Sequence, residues 1–388
     1  MAEFTHLHNH SEYSLLDGMT TPEEMASIVS TNGQIAAAIT DHGTMGGFIR
    51  FQKACKSQGV KPIFGVEAYF VDDVSMDDET NKAERFHLIL LAKNDKGLEN
   101  LFRINNVAWT EQFYYKPRID FNNLEQYGEG LICLSGCMGS ALSQAILNGD
   151  EKRADQLLGK FQGIFKDDYY LEVQPHNPPE LNVKLIDYGD SYNIPIVGTL
   201  DCHFPTKQDA GVEEVLLAIG QNSSMNAGQK RHARDNYDHA CGVHDLIEKM
   251  DLLYPERRLS FKNLPLYLMD AKEVLEHFND AGITRLDILE NTMEIADKCN
   301  TEIKMNNMFL PSYTKDIKVD MSSNDYLRDV AFFMLQQKGL AGDQVYVDRL
   351  EEELTVIAGK NFSDYFLVLW DLISWADSDG IARGPARG

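Results

Sequence analysis

FTHLHNHSEYSLLDG, residues 4–18, decides the fold. Its first seven residues read as a β-strand, so His8 and His10, two apart, leave one face together and are able to chelate one ion. His6 shares that face one step deeper, and Asp17 follows in the loop. A strand that ends in histidines and runs into an acidic loop is what the catalytic end of a β/α barrel requires, because the loops after the strands converge there.

Six further runs repeat the pattern, at residues 35–42, 60–71, 86–93, 130–137, 168–174 and 194–203. Amphipathic stretches fit between several of them. One is Thr21 to Thr31, with Thr21 as N-cap, Pro22 at the first helical position and Glu24 three residues after the cap; another is Asp150 to Phe165, opened by Asp150. The expected class is therefore α/β: a distorted seven-stranded βα barrel of parallel strands and crossover helices over residues 1–270. Residues 221–265 break the pattern and read as an irregular insertion. A smaller, mostly helical segment follows over 271–388, with helices expected at 271–278, 285–299, 323–338, 346–358 and 365–379.

Ligand-type residues crowd the strand ends. His42 closes the second run, Glu67 lies in the third, Cys137 follows the fifth, and Asp201 and His203 repeat the two-apart arrangement after the seventh. Any one histidine is ordinarily a satisfied core or loop residue. The joint pattern instead implies a multinuclear site, in which a carboxylate such as Glu67 bridges two ions. Cys137 favours Zn over Mg, with Mn or Fe also compatible. Two ions roughly 3.5–4 Å apart suit phosphoester hydrolysis. YYKPRID, read as a loop before the fifth run, supplies Lys116 and Arg118, of which Arg118 is the candidate for neutralising phosphate charge.

Other features carry less. Phe113, Tyr114 and Tyr115 read as core aromatics rather than base-stacking rings. His176 reads as a plain loop histidine. His232, His239 and His244, with Cys241, match no standard zinc spacing.

Composition sets the outer limits. The chain has 388 residues, 43% of them hydrophobic and 25% charged, as in an ordinary globular protein. No apolar run is long enough to span a bilayer, and the N-terminus lacks the features of a signal peptide, so a cytoplasmic protein without a membrane partner is expected. Six scattered cysteines without CxxC pairs argue against a disulfide framework and a zinc ribbon. With a net charge of -24, any nucleic acid must be gripped locally.

HLHNHSEYSLLDG, AITDHG, GVEAYF, YYKPRID, LSGC and the DCH of residues 201–203 together resemble the polymerase and histidinol phosphatase (PHP) domain, and within it the form found in the bacterial DNA polymerase III alpha family. YVDRLEEELTVIAGKNFSDYFLVLWDLISWADSDGIARGPARG resembles the stretch entering that family's palm. The resemblance implies up to three divalent ions: one held by His8, His10, Glu67 and Asp201, a second by Glu67, His87 and Cys137, a third by Asp17, His42 and His203. His87 rests on the resemblance alone. It further implies 3′ to 5′ proofreading on a DNA 3′ end, with the remaining polymerase chain and other replisome subunits as partners. The family's polymerase carboxylates would lie beyond residue 388, so no polymerisation is expected from these residues alone. A structural metal-stapled scaffold and a small-molecule phosphomonoesterase of histidinol phosphatase type are the alternatives.

Overall fold

Lys61–Phe70, the longest run of strand (β2), organises the sheet. In the computed structural model, residues 3–76, 85–221, 260–305, 311–315, 317, 320–382 and 384 are described. The chain forms two compact units, Met1–Ile303 and Lys304–Gly388. The histidines of residues 232–244, most of the expected insertion and the last four residues lie outside the described residues.

Along β2, the strand β1 (Ala36–Ile39) pairs in parallel with residues 61–64, and β3 (Phe86–Ala92) pairs antiparallel with residues 65–70. Beyond β3 come β6 (Leu131–Leu134), β7 (Tyr169–Val173) and β8 (Ile196–Gly198); β6 is antiparallel to β3, and the last two pairings are parallel. The sheet is thus mixed, not all parallel as expected. In the described part of the connection between β2 and β3 there is a 3-10 turn at Val74–Met76.

Residues 4–10 do not form a regular strand. They make two isolated parallel bridges, His6 to Ala37 and Asn9 to Cys202. Backbone hydrogen bonds reinforce both: Ala38 N to His6 O at 2.8 Å, and His10 N to Cys202 O at 2.7 Å. The run therefore stands between β1 and the continuation of β8, joining the two edges of the curled sheet into a distorted ring of seven. YYKPRID is not a loop. Phe113–Tyr114 (β4) and Lys116–Ile119 (β5) make a tight hairpin around Tyr115, which has φ 59°, and β5 extends β2 in parallel.

Helices form where their caps were legible. α1 (Pro22–Thr31) starts on a complete capping box between Thr21 and Glu24, and α6 (Glu151–Phe165) on the side chain of Asp150. The helices Ala271–Asp280 and Asp287–Lys298 belong to the barrel unit, burying Phe278, Ile288 and Leu289 in the layer between sheet and helices. That moves the boundary from the expected residue 270 to 303. Lys304–Gly388 carries helices at Ser323–Gln337, Gln344–Gly359 and Ser363–Ser378, packed around Tyr313, Leu327, Leu354 and Leu367. No helix among the described residues is long and apolar enough to cross a membrane.

Strand alternation sorts the barrel core into two layers. Leu88, Leu90, Val66 and Cys133 face the surrounding helices; Ile63, Ile89, Leu91, Ile132, Leu134, Tyr170 and Val197 form a second cluster with Ile295 and Ala296. On that second face four of the strands change character toward one end. Ile63 gives way to Glu67, Tyr170 to Glu172, Val197 to Thr199 and Asp201, and Ile89 to His87. An apolar floor thus carries a polar mouth.

Candidate metal centre

Glu67 is the hub of that mouth. Buried on β2, it divides its carboxylate: Oε1 lies 2.9 Å from His87 Nδ1 and 3.7 Å from Cys137 Sγ, while Oε2 lies 3.1 Å from His10 Nε2 and 2.7 Å from His42 Nδ1. Asp201 stands opposite, with Oδ1 3.0 Å from His8 Nε2 and 3.1 Å from His10 Nε2. Asp17 Oδ2 lies 2.7 Å from His42 Nε2, and its Oδ1 4.0 Å from His203 Nε2. All nine residues singled out as ligands therefore converge.

The donor atoms fall into three overlapping groups, each within 4.8 Å: His8, His10, Glu67 and Asp201; His42, Glu67 and His87; His10, His42 and His203. The first is the set implied by the resemblance. The others share members with the implied sets, and Cys137 reaches its group through His87, 3.5 Å from its Sγ.

Two observations fit this donor set to cations. Among the described residues, His8 Nε2, His42 Nδ1 and Glu67 Oε2 are buried without a hydrogen-bond partner, although carboxylate or imidazole atoms stand within 2.7–3.1 Å of them. Orphaned buried polar atoms are costly, and atoms that approach without hydrogen-bond alignment are arranged for a common third partner. Secondly, the His10 ring stacks on His42 with centroids 4.3 Å apart and lies 4.4 Å from His203. Packed imidazoliums repel; neutral imidazoles on shared cations do not.

Without cations the carboxylates shape the titration. Burial acts to lower His42, yet Glu67 and Asp17 outweigh it and push the imidazole up to about 10. Burial acts to raise Asp17, but His42 and His203 draw it down to about 2. Glu67 and Asp201, against the same cost of burial, are held well below the ordinary carboxylate range by their histidines.

Supporting groups went unnoticed in the sequence. Glu172 Oε1 lies 2.7 Å from His8 Nδ1, and Ser14 Oγ lies 3.0 Å from His10 Nδ1 while donating to Asp41 Oδ1 at 2.9 Å. Each leaves the other ring nitrogen, Nε2, for the cluster. A charge inside the apolar run YYLEV was the available signal for Glu172.

His6 does not join the cluster. A bend at His8 breaks the strict alternation, and the His6 ring lies among Phe4, Cys202 and Met269, whose carbonyl is 2.9 Å from Nε2; burial lowers it to about 4. Arg118 sits on β5 opposite Tyr69 of β2, with Nε donating to Gln112 O at 3.2 Å and its guanidinium 5.2 Å from the Tyr114 ring. Phe113, Tyr114 and Tyr115 are not core residues: all three are exposed. His176 is in a turn, as expected, lining a cavity of about 660 Å³ with Phe204 and Lys207.

Residues 6–176 match the PHP domain model, and residues 325–388 match that of the bacterial DNA polymerase III alpha NTPase domain. DNA polymerase III subunit alpha of Aquifex aeolicus is 35% identical over 401 residues, covering 100% of this chain and 32% of the relative. That of Borreliella burgdorferi is 33% identical over 395 residues, covering 100% and 31%. The chain thus spans about a third of the length of these relatives. A solved two-domain protein from Bacteroides vulgatus, described as containing a predicted PHP-like metal-dependent phosphoesterase, is 17% identical over 52% of each chain, with a TM-score of 0.34.

Proposed function

The chain carries a PHP domain and matches the N-terminal third of bacterial DNA polymerase III alpha subunits; from this premise we propose that its barrel is a metal-dependent phosphodiesterase. In full, the reading is a 3′ to 5′ proofreading exonuclease on single-stranded or frayed DNA ends, within the N-terminal portion of a replicative polymerase. The observation that carries it is the divided carboxylate of Glu67, with buried, unpartnered donor atoms on both sides.

His8, His10, Glu67 and Asp201 would hold one ion, Glu67, His87 and Cys137 a second, and Asp17, His42 and His203 a third. Zn, Mn and Fe suit this mixture of imidazole, carboxylate and thiol. Bound divalent ions supply Lewis acidity toward a phosphoryl oxygen and lower the pKa of a water. The protein's own contribution is positional. Glu172 and Ser14 fix the rings of His8 and His10. Asp17 and Asp201 stay ionised across the physiological range. Arg118, buried at 4% exposure and anchored through Gln112, would act on the substrate phosphate only as a fixed positive charge beside Tyr69. The remaining polymerase chain and other replisome subunits are the proposed partners.

The test is release of mononucleotides from 3′-labelled single-stranded DNA with Mn or Zn, alongside elemental analysis of the purified protein. His10→Ala and Asp201→Asn are expected to abolish release; full activity in either would refute the assignment. A second reading has one observation in its favour: the candidate ligands come from separate segments all round the ring, as they would in a structural staple. Under that reading chelation lowers the melting temperature greatly while nuclease activity is absent from the start.

A further inference from the structure

Phe113, Tyr114 and Tyr115, which the sequence assigns to the core, form a surface patch at the barrel mouth together with Trp109. Phe113 is 50% exposed, Tyr114 36%, Tyr115 75%, and Trp109 at the end of α3 (Asp95–Thr110) 48%. They are ordered in pairs. Trp109 and Phe113 stack with centroids 5.4 Å apart and planes at 22°, and Tyr114 meets Tyr115 edge-on at 4.7 Å.

The patch is tied to the cluster at two points. Trp109 Nε1 donates to the carbonyl of Gly43, the residue after His42, at 2.7 Å. Tyr69, whose ring lies 5.7 Å from that of His42 and 5.8 Å from that of His87, carries the Lys116 ammonium 5.1 Å from its own centroid. The rings thus begin one side chain away from the candidate ligands.

The charge of the patch runs against that of the molecule. The net charge is -24, yet the hairpin carries the exposed Lys116, and Arg85 donates to Tyr114 O at 3.2 Å. Exposed rings offer sequence-independent stacking, and cations beside them meet a phosphate backbone. A single strand presents both of these chemistries; a duplex hides its base faces, and an apolar protein surface has no use for the cations.

We propose that Trp109 and the Phe113–Lys116 hairpin form a platform for single-stranded DNA, on which the nucleotides next to the scissile phosphodiester stack. The inference rests on the reading of the cluster as a nuclease centre and names how its substrate is held. Phe113 and Tyr115 stack on bases, and Lys116 contacts a phosphate. Neither role depends on base identity.

The test is fluorescence anisotropy with 5′-fluorescein-labelled dodecathymidylate and the full chain in EDTA, where no hydrolysis occurs. The Phe113→Ala, Tyr115→Ala double variant is expected to bind the single strand at least tenfold more weakly. Lys116→Ala is expected to reduce the slope of log affinity against log salt by about one. Circular dichroism melts establish that both variants fold. Unchanged affinity and slope would overturn the platform and point to a protein partner for these rings. Because binding is read without turnover, a platform that binds beside an inactive cluster would sink the nuclease reading alone; an active nuclease indifferent to these substitutions would sink only the platform.

Discussion

Nδ1 of His8 lies 2.7 Å from Oε1 of Glu172, and neither side chain has any solvent-exposed surface. Glu172 is itself pinned by the Gly136 amide at 3.1 Å, by Gln174 Nε2 at 3.0 Å and by the Thr199 hydroxyl. A carboxylate held this firmly fixes the protonated nitrogen of His8 and aims Nε2 at Asp201. Glu172→Gln keeps the volume but removes the charge that makes the ring a strong donor. Metal affinity, measured by competition with a chromophoric chelator, is expected to fall roughly 10–100-fold. Retention of wild-type affinity would show that Glu172 only fills space.

Metal uptake is expected to expel protons. His42 titrates at about 10 in the metal-free cluster because Glu67 and Asp17 overcome the effect of burial, so at neutral pH its ring is protonated. A cation can bind His42 only after that proton leaves. Below pH 10 each pH unit therefore strengthens binding up to about tenfold for this site. Calorimetric titration with Mn in buffers of different ionisation enthalpy is expected to give at least one proton released per protein at pH 7. Zero release would remove His42 from the ligand set.

How far the site was legible follows from strand direction. Where strands point toward the mouth, ligands close their runs, as His42 and Asp201 do, and the sequence showed them. β3 runs the other way, so its mouth-facing residue is the one that opens the run, and His87 was invisible to a rule that looks only at strand ends. Alternation placed His6 with His8 and His10 because nothing in FTHLHNH announces the bend at His8. Lys116–Ile119 contains Pro117 and is only four residues long, too little for a periodic signal, which hid both β5 and the exposed hairpin before it. The capping signatures at Thr21 and Asp150, by contrast, are local chemistry and carried over intact.

One close packing contact in the barrel is set by a pair of glycines. A Cβ on Gly97, in the first turn of α3, would stand 1.8 Å from the carbonyl oxygen of Gly130, and both are backbone positions that a side-chain rotation cannot relieve. Gly97→Ala must push the helix away from the turn leading into β6. The expected loss is about 1–3 kcal/mol in urea denaturation, despite the better helix propensity of alanine. A stabilised variant would mean that the contact relaxes freely.

Glu213 on α8 (Ala210–Gln221) is buried, and among the described residues neither of its carboxylate oxygens has a partner. Burial first, then Asp17 and Glu214, push it up to about 8 from an ordinary 4.5. Below pH 4.5 the group is protonated in both the folded and the unfolded chain and contributes nothing to pH dependence. Between 4.5 and 8 the unfolded chain sheds the proton while the folded protein keeps it, so stability falls as pH rises, by at most ~5 kcal/mol once pH passes 8. Glu213→Gln removes that ionisation. In metal-free protein with EDTA, where Asp17 keeps its full charge, the variant is expected to melt higher than wild type at pH 8.5 and close to it at pH 4.5. An equal difference at both pH values would mean that Glu213 acts through packing alone and not through its proton.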